Sequence, residues 1–182
     1  AEAIENGTIP NAEIAVVISD KTSAQGLIKA QEKGIETLAI PRNGRTREEY
    51  DAEIVSELKK RGVEFICLAG YMRLLSKDFI RAFPNQIINI HPSLLPSFKG
   101  LDAQKQAFDY GVKFTGCTVH FVDEELDHGA IIAQKVVEVK DDDTAETLSH
   151  RILEQEHILY IEALKKIVSG KIQIVDRRTV EK

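Results

Sequence analysis

Apolar, β-branched runs alternate with helical stretches through the first half of this chain, with glycine or proline as punctuation, and that spacing leaves few folds open. Residues 14–19, 36–40, 63–69 and 87–90 read as buried strands. Residues 22–33, 46–61 and 76–83 read as helices, closed by Gly34, Gly62 and Pro84. Thr46 and Glu49 have the capping-box spacing, in which a hydroxyl and a carboxylate satisfy the free N–H groups of a first helical turn, and Ser76 reads as a simpler N-cap. Strands and helices at this interval form right-handed βαβ units around a parallel sheet. Ligands of such sheets bind beyond the carboxyl ends of the strands. Residues 70–73 and 89–96 both follow strands and are predicted on that rim. Residues 1–6 read as the last turns of a helix stopped by Gly7, too short to stand alone, so further residues are expected ahead of Ala1.

The second half changes character. Residues 102–110 read as a helix ended by Gly111. Residues 114–122 and 130–139 read as longer strands, joined by the seven-residue loop 123–129, the pattern of an antiparallel pair. The longest helix opens near Asp143 and Thr144, carries Leu148, Ile152, Leu153, His157, Ile161, Leu164 and Val168 as its expected apolar stripe, and stops at Gly170. Residues 172–175 and 178–180 read as a small closing hairpin. Asp141, Asp142 and Asp143 read as a solvated turn plus an N-cap, since a metal site needs more converging ligands.

Charge and composition narrow the partners. A net charge of −5 gives no basis for binding nucleic acid or an anionic membrane. No apolar run approaches the roughly 18 residues that span a bilayer, and residues 1–7 have no signal-peptide pattern. Cys67 and Cys117 both lie in strand-like apolar runs, where buried free thiols are expected rather than a disulfide, so a cytoplasmic location is predicted.

Polar groups able to do chemistry concentrate in residues 89–96, Asn-Ile-His-Pro-Ser-Leu-Leu-Pro. Asn89 and His91 are two apart, so in an extended segment they share a face. Pro92 and Pro96 stiffen the turn by restricting the residues before them. An amide donor beside an imidazole suits an oxyanion forming at an attacked carbonyl. Asp127, in the loop between the long strands, is the best candidate for a general base. Ser93 is a weak nucleophile candidate, because the G-x-S-x-G elbow is lacking. The bland readings stand beside these: Asn89 bonding its own backbone, Asp127 one exposed acid among several, Arg47 and Arg73 solvated, and His120, His150 and His157 structural.

Taken together, Ala-Gly-Tyr-Met-Arg at 69–73, the 89–96 stretch, Gly-Cys-Thr-Val-His at 116–120, and Leu126, Asp127, Gly129 and Gln134 resemble, in order and spacing, the folate-dependent formyltransferases. The resemblance covers essentially all of the chain. It is nearest to the branch acting on glycinamide ribonucleotide in purine biosynthesis, by the wording of residues 91–96, 100–103 and 155–157. It implies a single domain over residues 1–182 with a Rossmann-like fold: a mostly parallel twisted sheet, helices on both faces and an antiparallel C-terminal strand pair. The implied reaction is attack of the acceptor's primary amine on the formyl group of 10-formyltetrahydrofolate, a co-substrate, with no metal. Asn89 and His91 would stabilise the oxyanion, while Asp127 would hold His91 and take up the amine proton. Arg47, Met72, Arg73, Leu74, Leu75, Glu124, Glu125, Leu126 and Asp127 match folate-binding positions. Met72, Ile90, Pro92 and Glu156 match positions lining the groove for the ribonucleotide. Implied partners are these small molecules, with no nucleic acid or membrane, for a monomer or homodimer.

Two departures stand out. The family's first strand and glycine-rich phosphate loop do not occur after Ala1, and Ala130 stands where the family has proline. Formyltetrahydrofolate hydrolase, which uses the same three residues with water as acceptor, is the nearest rival, and a non-catalytic folate-binding relic is the rival from another class. Formyltransferases acting on methionyl-tRNA or on sugar nucleotides carry C-terminal additions for which this chain has no room.

Overall fold

Pairing rather than apolarity sets the strand lengths, so the strands are shorter than most of the apolar runs that encode them. In the computed structural model, which describes all 182 residues, the elements are α1 (Glu2–Glu5), β1 (Val17–Ser19), α2 (Gln25–Glu32), β2 (Thr37–Ala39), α3 (Arg47–Lys60), β3 (Ile66–Leu68) and α4 (Lys77–Ala82). They continue as β4 (Ile87–His91), α5 (Ala103–Tyr110), β5 (Phe114–Phe121), β6 (Ile131–Glu138), α6 (Ala145–Val168), β7 (Ile172–Val175) and β8 (Arg178–Glu181). The backbone divides into two units, Ala1–Phe65 with Leu75–Pro84, and Ile66–Leu74 with Asn85–Lys182.

In the first unit β1 and β2 pair in parallel. The capping box of α3 forms as read: the Thr46 hydroxyl accepts the Glu49 N–H at 3.2 Å, and the Glu49 carboxylate accepts the Thr46 N–H at 2.9 Å. The helix buries Tyr50, Ile54 and Leu58, one turn apart on one face. Asp51 is buried beside them, and its Oδ2 accepts the Ser76 N–H at 2.6 Å. Ser76 in turn caps α4 by accepting the Phe79 N–H.

The second unit holds a six-stranded sheet in the order β3-β4-β5-β6-β8-β7. Strands β3 and β4 are parallel, as βα alternation predicts, and β5 and β6 are antiparallel, as their short connection predicts. The antiparallel character begins one strand earlier than the loop alone implied, because β5 also runs antiparallel to β4. The closing hairpin forms between β7 and β8, and β8 meets β6 at Ile131 and Arg178. Helix α6 packs across β5 and β6. The core there joins Ile88, Cys117, Val119 and Phe121 of the sheet to Leu148, Ile152, Leu159, Ala163 and Ile167 of the helix. Each fully buried Leu or Ile removes enough apolar surface from water to favour folding by roughly 1.5–3 kcal/mol before entropy is counted.

Three local expectations are corrected. Beyond Ile152 the buried stripe of α6 runs through Leu159, Ala163 and Ile167, whereas Leu153, His157, Ile161 and Val168 are exposed. Two adjacent apolar stripes share this helix, and only its placement on the sheet selects between them. Asp143 is not a solvated acid. Its side chain is 3 % exposed, it grips Arg151, and the N-cap is Thr144, in reciprocal bonds with Thr147. Cys67 is exposed on β3, while Cys117 is buried, its thiol pushed up to about 12 by that burial. Both thiols are free.

Gly116 marks the tightest approach of β5 to β6, since a Cβ there would lie 1.9 Å from the Lys135 carbonyl oxygen, a backbone atom with nowhere to go. Gly116→Ala is predicted to cost on the order of 3 kcal/mol, read as a lowered urea midpoint. A midpoint equal to wild type would contradict this packing.

Candidate active site

Strand β4 stops at His91 because Pro92 has no N–H to continue the ladder. Its last residues leave the core in alternation. Ile88 faces the apolar interior, while Asn89 and His91 share the other face. The register adds their neighbours: Asn89 pairs with His120 and His91 with Thr118 on β5, and Thr118 pairs with Gln134 on β6. One face of three strands thus gathers Asn89, His91, Thr118, His120 and Gln134.

Thr118 anchors the turn after β4. Its hydroxyl donates to the Ser93 carbonyl at 2.7 Å and accepts both the Leu95 N–H at 3.1 Å and the Gln134 amide at 2.9 Å. Gln134 also donates to the Leu95 carbonyl at 2.9 Å. The Leu95–Pro96 peptide is cis. Ser93 is fully buried and gives its proton to the Ser97 carbonyl, so it is a turn residue and offers no nucleophile.

His91 is 4 % exposed and both its ring nitrogens face acceptors. Nε2 lies 2.8 Å from the Phe98 carbonyl, which can only accept, so Nε2 carries hydrogen. Nδ1 lies 3.5 Å from Asp127 Oδ2, which also accepts the Gly100 N–H at 2.8 Å. At 3.5 Å the imidazole and the carboxylate are ion-pair neighbours, a little farther apart than an ordinary N–H···O hydrogen bond. Phe98 and Asp127 both have left-handed backbones, at φ 53° and 46°, so the segments that hold His91 adopt conformations uncommon outside glycine.

Asp127 does not approach along the rim. Because β5 is antiparallel to β4, Phe121 pairs with Ile88, at the start of β4, and the loop leaves the sheet there. It must double back across the face to bring Asp127 to His91. On the way Asp127 Oδ1 passes 3.9 Å from His120 Nε2. Gly129 permits the return, since a Cβ there would meet the Phe121 carbonyl oxygen at 1.9 Å.

His120 is buried and bonds backbone, as a structural histidine does, and it also lies beside Asp127 on the face that carries Asn89 and His91. The signal was its two-residue spacing from Thr118 in an alternating strand. Its Nδ1 donates to the Phe121 carbonyl at 2.7 Å, its Nε2 has no partner, and burial lowers its pKa, with Asp127 pulling the other way. The Phe98 carbonyl and Gly100 N–H were also missed, since backbone groups leave no mark in a sequence. Asn89 is half-buried, and its amide is committed to no protein group.

The remaining residues singled out from the sequence are distributed as follows. Met72, Arg73 and Leu74 lie exposed on the loop after β3, and Glu124, Glu125 and Leu126 lie exposed on the loop that carries Asp127. Met72, Leu74 and Leu126 are large apolar side chains left in water. Ile90 and Pro92 are half-buried at the end of β4. Glu156 is half-buried on α6, its carboxyl pushed up by burial. Arg47 and Leu75 belong to the first unit, where Arg47 opens α3 and pairs with Glu48 at 3.3 Å. No group of three or more His, Cys, Asp or Glu converges as a metal site, and no helix is long and apolar enough to cross a membrane.

A site of this kind, an amide donor and a His–Asp pair on the face of an α/β sheet, suits acyl transfer, and comparison with known proteins names the family. The formyl transferase family model matches residues 1–164, and the chain belongs to that family. It is 42% identical over 159 residues to phosphoribosylglycinamide formyltransferase of Bacillus subtilis, covering 87% of this chain and 82% of that protein. It is 49% identical over 164 residues, 90% of this chain, to the trifunctional purine biosynthetic protein adenosine-3 of Gallus gallus, of which it spans 16%. Among solved structures, glycinamide ribonucleotide transformylase 1 of Symbiobacterium toebii superimposes with a TM-score of 0.96 at 45% identity, over 99% of this chain and 85% of that one.

The lowered pKa of His120 has a consequence for stability. The folded state holds this ring neutral, so its contribution is complete above the ordinary value of 6.5 and is lost as pH falls below it. Wild-type stability is predicted to decline below about pH 6.5, and His120→Asn to reduce that slope, by at most about 1.4 kcal/mol per pH unit. Denaturant melts of both proteins between neutral pH and pH 5 check it. Equal slopes would contradict a buried neutral His120.

Proposed function

We propose that this chain transfers the formyl group of 10-formyltetrahydrofolate to the primary amine of glycinamide ribonucleotide. The observation that carries the reading is the meeting of His91 and Asp127 at 3.5 Å, beside the uncommitted amide of Asn89. Membership of the formyl transferase family, with a relative named phosphoribosylglycinamide formyltransferase at 42% identity and a solved glycinamide ribonucleotide transformylase at 45%, supports the choice of substrates.

In the proposed mechanism the amine nitrogen attacks the formyl carbon, and the carbonyl π electrons move onto oxygen. Asn89 donates its amide N–H to that oxyanion. His91 adds a second donor once its Nε2–H leaves the Phe98 carbonyl, and its imidazolium form places positive charge beside the developing negative charge. The attacking nitrogen gives up its proton to the carboxylate of Asp127. Collapse of the tetrahedral intermediate breaks the bond to N10 of the folate, which leaves with the proton that Asp127 took from the amine, so the carboxylate is restored. Products are the formylated amine and tetrahydrofolate. No covalent enzyme intermediate is needed. The exposed apolar side chains of Met72, Leu74 and Leu126 suit the pterin, and Arg73 suits the carboxylates of the folate tail. Ile90, Pro92 and Glu156 would line the groove for the ribonucleotide, where Glu156 would accept from a ribose hydroxyl.

The test incubates the protein with 10-formyltetrahydrofolate, with and without glycinamide ribonucleotide. The expected result is formylated amine and tetrahydrofolate in equal amounts, with slow release of formate when the amine is omitted. Formate release at the full rate without amine would identify a hydrolase instead. His91→Ala and Asp127→Ala are each expected to lower turnover by about 10³-fold or more while the melting transition persists. Turnover near wild type in either variant would contradict the assignment.

A further inference from the structure

The loop that carries Asp127 is tied down from outside the segment matched by the family model. That match ends at residue 164, whereas β7 and β8 lie beyond it. At the tip of this hairpin Asp176 takes a left-handed turn, φ 55°, and presents Arg177 to the loop. Arg177 Nη2 donates to the His128 carbonyl at 2.9 Å, and Nη1 contacts His128 Nε2. Two residues on, the Thr179 hydroxyl donates to the Ile131 carbonyl at 2.9 Å, so the hairpin grips the chain on both sides of the return into β6.

His128 passes the hold inward. A guanidinium has only donors, so Nε2 of His128 must accept, and the hydrogen of the neutral ring sits on Nδ1. Nδ1 donates to Asp123 Oδ2 at 2.8 Å, and Asp123 Oδ1 accepts the Glu125 N–H at 3.0 Å. Glu125 Oε2 is the other charged group near the ring, 3.8 Å from Nε2. Asp123 and His128 thereby close the loop at its two ends. Between them lie Glu124, Glu125, Leu126 and Asp127, the residues read as holding the folate.

We infer that Arg177 is a positioning residue for folate: its fork on His128 latches the 123–129 loop in the conformation that receives the pterin. This rests on the folate reading of that loop. Arg177 lies on the turn of the hairpin and is not one of the residues read as touching substrate, so its loss acts through the loop. An exposed charged hydrogen-bonding fork of this kind sets affinities by about three- to tenfold.

The test compares wild type, Arg177→Ala and Arg177→Lys by hydrogen exchange of the 123–129 amides, by calorimetric binding of tetrahydrofolate, and by kcat at saturating substrates. Arg177→Ala is expected to speed exchange in the loop about tenfold and to weaken tetrahydrofolate by about three- to tenfold, with kcat within about twofold of wild type. Arg177→Lys keeps the charge but not the fork and is expected to recover only part of both. Loop exchange unchanged in Arg177→Ala overturns the latch. Full recovery of binding by lysine while exchange stays fast also overturns it, because the effect is then charge acting at a distance on folate. Fast exchange in the variant with no tetrahydrofolate bound even by wild type refutes the folate reading, and the role in folate positioning with it.

Discussion

The register of β4 against β5 and β6 is the constraint on which the site depends. It sets Asn89 beside His120, and His91 beside Thr118, which in turn faces Gln134. The opposite face of the same strands supplies Ile88, Cys117 and Val119 to the core under α6. Side chains alternate with a period of two, so a slip of one residue would carry the polar set into the core and the apolar set into water. Burial on one face therefore fixes the chemistry on the other. The hydrophobic contact that stabilises the sheet and the geometry that places the imidazole are one arrangement seen from two sides.

What the register leaves undone is completed by irregular backbone. Thr118 and Gln134 hold the turn at residues 93–95, and that turn leads into the left-handed Phe98, whose carbonyl takes the Nε2–H of His91. The neighbouring Gly100 N–H fixes one oxygen of Asp127. A short loop thus binds both members of the His–Asp pair, which arrive from separate elements. Nearly complete burial of His91 is the outcome, and it makes the Phe98 carbonyl a competitor for the proton donor that an oxyanion would need. Asn89 has no such competitor, which is the physical ground for giving it the first contact with the oxyanion.

Much of this was legible in the sequence, and the limits follow from what periodicity encodes. The apolar runs located every strand, Thr46 and Ser76 marked helix starts, and the spacing of Asn89 and His91 placed both on one face. The seven-residue loop announced the β5–β6 pair. Periodicity says which residues share a face but not what that face meets. Hence the stripe read along α6 matches the buried one as far as Ile152 and beyond it only at the half-buried Leu164, and spacing alone does not show that His120 lies beside Asp127. Asp143 looked solvated because its partner Arg151 lies two turns along the helix and a carboxylate carries no sign of its own burial. The direction of β5 against β4, and so the route by which Asp127 reaches His91, depends on a pairing between strands separated by a helix. Arg177 and His128 meet only because β8 docks beside β6.

The central proposal is that His91 and Asp127 act as one unit beside the reacting carbonyl. A double-mutant cycle on single-turnover formyl transfer with His91→Gln and Asp127→Asn tests this most directly. Residues acting as one unit are strongly non-additive, so the double variant should be nearly as slow as the slower single variant, and no slower than it by more than about threefold. If the two losses instead multiply in full, the residues contribute independently, and the coupled His91–Asp127 unit proposed here does not exist.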